Sequence, residues 1–123
     1  DIMDKIEIIR ALTQAEINAF AKLSGDCNPI HLDKEFAAQT RFGRTIVHGV
    51  FLQSILQGLC DQLRPGERHI SQSLSFTAPT YADEEMRFSA RISSKDENIL
   101  ICEVSRVDDN TSACKMEIQV GAT

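Results

Sequence analysis

Hydrophobic and polar residues alternate along this chain in two distinct rhythms. Ile6 to Ile9 is β-branched apart from Glu7 and predicts a short first strand. Next comes a helical pattern, with Ile17, Phe20, Ala21 and Ser24 on one side and Leu23 close by. Thr13 is placed to cap it, Glu16 stands at the reciprocal capping-box position, and Leu12 and Ile17 hold the staple positions. Gly25 is placed to end it in a left-handed conformation. Asp33 predicts a second cap, for a short helix through Phe36, Ala37 and Ala38, and Gly43 marks a turn. From Val47 to about Leu63 a long helix is expected. Its stripe of Val47, Val50, Phe51, Ile55, Leu59 and Leu63 is widened by Leu52, Leu56 and Cys60. That breadth predicts a helix wrapped by other structure, stopped at Arg64-Pro65-Gly66.

Beyond that point the period falls to two. Ile70, Gln72, Leu74, Phe76 and Ala78 are expected on one strand face, with Pro79 closing the stretch. Met86-Phe88-Ala90-Ile92, Leu100-Cys102-Val104 and Cys114-Met116-Ile118-Val120 predict three more strands. The polar runs Ser94 to Asn98 and Asp108 to Asn110 are hairpin candidates, and short connections favour antiparallel neighbours. An α+β architecture follows: an antiparallel sheet curled around one buried helix. No repeat or linker divides residues 1–123, which read as one domain.

The composition is ordinary, at 42% hydrophobic and 25% charged, so one core is affordable and a second is not. A net charge of -5 and scattered basic residues argue against nucleic acid. Arg41, Arg44, Arg64 and Arg68 form a loose set that could still meet an anionic ligand locally. The longest apolar region is interrupted by His48, Gln53, Gln57 and Asp61, so no membrane span is expected. No basic-then-apolar N-terminal run signals secretion. The first residue is Asp, so flanking sequence could be missing. Cys27, Cys60, Cys102 and Cys114 show no C-x-x-C spacing, and four free thiols favour a reducing, cytoplasmic setting.

Two runs carry chemistry. Gly25-Asp26-Cys27-Asn28-Pro29-Ile30-His31 sets a carboxylate and an imidazole on one restrained turn. Such a pair can activate a water and return a proton. Asn28 can hold either partner, Pro29 limits wandering, and Cys27 and Ile30 are expected to face packing. The alternative is a plain polar turn in which Asp26 binds backbone amides. In Val47-His48-Gly49 the glycine opens the long helix, where first-turn amides lack acceptors and carry the positive end of the dipole. A carbonyl could approach the Gly49 amide unobstructed by a Cβ. Close packing is the competing reason for that glycine, and His48 beside it suits a helix-start or supporting role.

These residues resemble a known family. Phe20 to His31, F-A-K-L-S-G-D-C-N-P-I-H, followed by Ala37, is similar to the signature of MaoC-like (R)-specific enoyl-CoA hydratases. Phe42 to Gly49 resembles that family's second stretch, and Phe76, Pro79, Tyr81 and Asp83 its later segment, with Thr80 and Ala82 departing mildly. The resemblance implies a hotdog fold, a sheet wrapped around a long central helix. It implies reversible hydration of a trans-2-enoyl-CoA to the (R)-3-hydroxyacyl-CoA. Asp26 and His31 would be the catalytic pair, and Gly49 the donor to the thioester oxygen. Some bacterial members use a serine further along the central helix; the matching position here is Gln57, with Ser54 one turn earlier. No metal or redox cofactor is implied, the acyl-CoA thioester is the partner, and a homodimer is the implied minimum. Alternatives are dehydration on an acyl carrier protein, thioester hydrolysis, or a noncatalytic acyl-thioester-binding subunit.

Overall fold

The computed structural model describes residues 4–122. Five strands form one antiparallel sheet: β1 (Lys5–Ala11), β2 (Arg68–Phe76), β3 (Glu85–Ile92), β4 (Ile99–Arg106) and β5 (Ser112–Gly121). Their order across the sheet is β1-β3-β4-β5-β2. Between β1 and β2 lie four helices: α1 (Gln14–Ser24), α2 (Pro29–Leu32), α3 (Lys34–Ala38) and α4 (Gly49–Leu63). This is the hotdog arrangement.

The local signals act as expected. Thr13 accepts from the Glu16 amide at 3.1 Å, while the Glu16 carboxylate takes the Thr13 amide at 3.0 Å. Gly25 closes α1 at φ 84°, its N–H donating to the Ala21 carbonyl. Asp33 caps α3 through the amides of Glu35 and Phe36. Period-two burial puts Met86, Phe88 and Ala90 of β3 under α4, with Leu100, Cys102 and Val104 of β4 beside them. From α4 come Leu52, Leu56, Leu59, Cys60 and Leu63. Cys60 and Cys102 meet with sulfurs 3.3 Å apart. The Cys60 hydrogen bond and burial push the Cys102 thiol well up, and burial holds Cys114 at about 11, so these thiols behave as packing groups.

Five expectations need correction. Strand β1 is longer than Ile6–Ile9, and α4 begins at Gly49 because the Val47 amide is drawn to the Thr80 carbonyl. Leu23 is exposed, so the inner face of α1 is narrower than its pattern suggests. The sheet covers one side of α4 and leaves Val50, Ser54, Gly58 and Asp61 outward, so this helix is not fully wrapped. Finally, a bulge between His69 and Ser71 sets His69 opposite Val120, so Ile70 leaves the face shared by Gln72, Leu74 and Phe76. Among the described residues no helix is long and apolar enough to cross a membrane.

Candidate active site

The site forms where α1, α2 and the start of α4 converge. Gly25 turns the chain out of α1 and straight into Asp26. Asn28 then caps α2 by accepting from the Ile30 amide, and Pro29 occupies the first turn. The Asn28 side chain therefore reaches neither Asp26 nor His31; it stiffens the turn between them. The Asn28 amide in turn donates to the Asp26 carboxylate at 3.3 Å. The opposite oxygen of that carboxylate lies 4.0 Å from His31 Nε2. This gap is too long for a direct hydrogen bond and suits an oxygen atom held between the two. Asp26 is 56% exposed and His31 is 11% exposed, so the pair has one wet and one dry member. Cys27 is exposed rather than packed.

Several backbone contacts hold His31. Its Nδ1 lies 2.8 Å from the Ile46 carbonyl, which only accepts, so Nδ1 carries the proton and Nε2 presents a lone pair to Asp26. Burial is the main influence on His31 and draws its pKa below the ordinary value. The Ile46 carbonyl opposes that shift, the neighbouring His48 adds to it, and Asp26 opposes it more weakly. Gln14 supports the same turn from α1. Its amide nitrogen donates to the His31 carbonyl at 2.8 Å, and its oxygen accepts from the Thr45 hydroxyl at 2.7 Å. Sequence reasoning passed over Gln14, because its position in a helix first turn gives no sign of a bridge between two distant loops.

The chain leading to α4 is strung beside the segment after β2. Ile46 bridges to Tyr81, the Val47 amide donates to Thr80, and the Ala82 amide donates to Thr45. His48 arrives buried, with its ring stacked on His31 at 3.8 Å and tilted against Phe20 at 5.0 Å. Phe20 stacks in turn on Phe51 at 4.7 Å, so four rings form a column behind the Asp26 turn. Gly49 opens the helix, and none of the hydrogen bonds among the described residues uses its amide. A Cβ on Gly49 would stand 2.8 Å from the Phe76 ring. Close packing and an accessible amide are thus both served by this glycine.

Beside Gly49 runs a groove of about 790 Å³, lined largely by apolar groups including Val47, Leu52, Phe76, Pro79 and Tyr81. Arg41 lines it, and the Arg44 guanidinium lies over Tyr81 at 4.8 Å. Arg64 and Arg68 sit beyond the far end of α4, about 22 Å from Gly49 along its axis, where Arg64 pairs with Glu67. Gln57 does not bond to Asp26 or His31; its amide donates at 3.1 Å to Gln72 of β2, which also accepts from Gln53. Asp26, His31 and His48 offer ligand-type atoms within 4.8 Å of one another, a set a divalent metal could use. His48 Nε2 is already committed to the Asp26 main-chain carbonyl at 2.9 Å.

The MaoC like domain family matches residues 5–113. This chain belongs to that family. It is 39% identical over 100 residues to an (R)-specific enoyl-CoA hydratase of Aeromonas caviae, covering 80% of this chain and 75% of that protein. The solved structure of an A. caviae (R)-hydratase involved in PHA biosynthesis superposes with a TM-score of 0.86 at 34% identity, covering all of this chain and 97% of the other. A mitochondrial 3-hydroxyacyl-[acyl-carrier-protein] dehydratase of Arabidopsis thaliana is 34% identical over 68% of this chain. That alignment spans half of the plant protein.

Proposed function

We propose that this MaoC-family domain is a hydro-lyase that reversibly adds water to a trans-2-enoyl-CoA, giving the (R)-3-hydroxyacyl-CoA. The observation that carries the reading is the 4.0 Å gap between the Asp26 carboxylate and the bare Nε2 of His31, beside the unused amide of Gly49. A water in that gap donates to both groups. As it attacks C3, one of its protons passes to the pair and its oxygen bonds to carbon. Charge moves onto the thioester oxygen, where the Gly49 amide at the positive end of α4 stabilises it. The protonated member of the pair then delivers its proton to C2 on the same face, so the elements of one water are added. Dehydration is the reverse path. The acyl chain occupies the groove beside Gly49, and Arg41 on that groove and Arg44 over its Tyr81 are candidates to meet the anionic carrier.

The chain is further proposed to act as a homodimer joined along β2. Strand β1 guards its edge with Lys5, Glu7 and Arg10, whereas β2 carries no Lys, Arg, Asp or Glu from His69 to Phe76. Ile70, Phe76 and Val50 are exposed on that side.

Crotonyl-CoA is the direct test. Enoyl-thioester absorbance is expected to fall on adding protein, and chiral analysis is expected to return the (R)-product. An (S)-product, or no turnover across short, medium and long enoyl-CoAs, would overturn the assignment. The plant relative supports a carrier-protein version of the same chemistry. Faster turnover of the enoyl-acyl carrier protein than of the CoA ester would favour it.

A further inference from the structure

His48 is tied to both members of the pair without being one of them. Its Nε2 lies 2.9 Å from the main-chain carbonyl of Asp26. A carbonyl only accepts, so Nε2 must hold the proton. Nδ1 is then a lone pair, and among the described residues it is buried without a partner. Reversing this tautomer would set two lone pairs against each other at Nε2. It would also bury an N–H with no acceptor at Nδ1. The neighbouring ring is held the opposite way, with the Ile46 carbonyl fixing the proton of His31 on Nδ1. The two imidazoles stack at 3.8 Å and 23°, each pinned by a different strand of backbone.

We infer that His48 is a positioning residue locked in the Nε2–H tautomer, clamping the Asp26 peptide so that its carboxylate stands across from the bare Nε2 of His31. The inference deepens the proposed hydration and rests on it for its catalytic consequence, but not for the tautomer. Asp26 needs such a clamp. It lies in a turn with an exposed side chain, and the other bonds at this residue are short-range ones to Ser24 and Asn28. The His48 bond ties Asp26 to the residue that opens the helix carrying Gly49. One residue therefore sets the acid–base pair and the oxyanion donor in a common frame. An ångström of drift between them is enough to cost about 100-fold in rate.

Two variants separate the donor from the ring. His48→Phe keeps a flat ring between His31 and Phe20 but cannot donate. His48→Gln supplies an N–H near the Nε2 position and gives up the stack. The Phe variant is expected to lose roughly 10- to 100-fold in kcat on crotonyl-CoA, with KM within about threefold. The Gln variant is expected to recover most of that loss. A Phe variant with normal kcat, or a Gln variant impaired as badly as Phe, overturns the clamp. Long-range nitrogen–proton NMR of the unaltered protein near neutral pH decides the tautomer independently of folding in the variants and of any activity. A proton on Nε2 of His48 and on Nδ1 of His31 is expected. A proton on Nδ1 of His48 overturns the inference even if hydration is confirmed, while failure to hydrate any enoyl thioester leaves the tautomer result standing and removes only its catalytic meaning.

Discussion

Asp26 and His31 differ in surroundings, and that difference makes them separable by experiment. Asp26→Asn keeps the shape of an exposed side chain and removes the charge. His31→Ala empties a buried position. Each is expected to lower kcat for crotonyl-CoA by about 100- to 10,000-fold. Circular dichroism is expected to stay native for the Asp26 variant, because its carboxylate is not a core group. Unchanged turnover in both variants would sink the mechanism. Acidity gives a second handle. His31 has its pKa held below the ordinary 6.5, chiefly by burial. Between that lowered value and 6.5 the unfolded chain binds more protons at this site than the folded one. Stability from this group is therefore complete above about 6.5 and is lost as pH falls toward the folded value. Denaturant midpoints measured from pH 7.5 to 5 should decline accordingly, and His31→Phe should flatten that part of the profile. The acid limb of kcat/KM should likewise lie below 6.5, since His31 must present a bare Nε2.

At the scale of elements, α4 does two jobs at once. Its N-terminus supplies the Gly49 amide, and its inner face supplies much of the core. Phe76 at the end of β2 fills the space a side chain on Gly49 would need. Gly49→Ala should therefore push the ring aside, costing about 1–3 kcal/mol of stability and a larger share of activity. Adding Phe76→Ala should restore much of the melting temperature but not the rate, because the added Cβ still obstructs the amide that the proposed chemistry uses. Equal recovery of both would point to packing alone. Leu56, wholly buried in the middle of the helix, should cost about 2–5 kcal/mol when cut to Ala. A urea midpoint separates that loss of core from the local effect at Gly49.

For the whole molecule, the open question is what meets β2. Sedimentation of the native chain is expected to give a dimer, and Ile70→Lys, on the exposed bulge, to weaken it in a concentration-dependent way. A monomer at all concentrations with full activity would rule the dimer out as a functional unit. The legibility of the fold differed between its parts for physical reasons. Strands β3 to β5 and helix α1 were readable because caps, hairpin loops and strict alternation are local signals. The face of β2 was misread at Ile70 because one bulge shifts every later partner, and nothing in Arg68-His69-Ile70-Ser71 marks it. The breadth of the α4 stripe suggested a wrapped helix, yet burial is decided by which side the sheet reaches. In the candidate site, Asp26, His31, Gly49 and His48 were legible from two short runs, while the contacts made by Gln14, Phe20 and Phe76 were not. Their roles depend on partners 17 to 31 residues away for Gln14, and across separate elements for the two rings.

By itself, the sequence determined where the chain turns and which residue types meet on each turn. Gly25, Asn28 and Pro29 dictate a stiff path from Asp26 to His31, because their constraints act within a few bonds. It also determined the family, through runs that span most of the chain. Only the tertiary structure decided the 4.0 Å gap, the carbonyl partner of each imidazole, and the tie of Gln57 to Gln72. Those features depend on the carbonyls of Ile46 and Asp26 and on a neighbouring strand, all brought close by packing that no local pattern encodes.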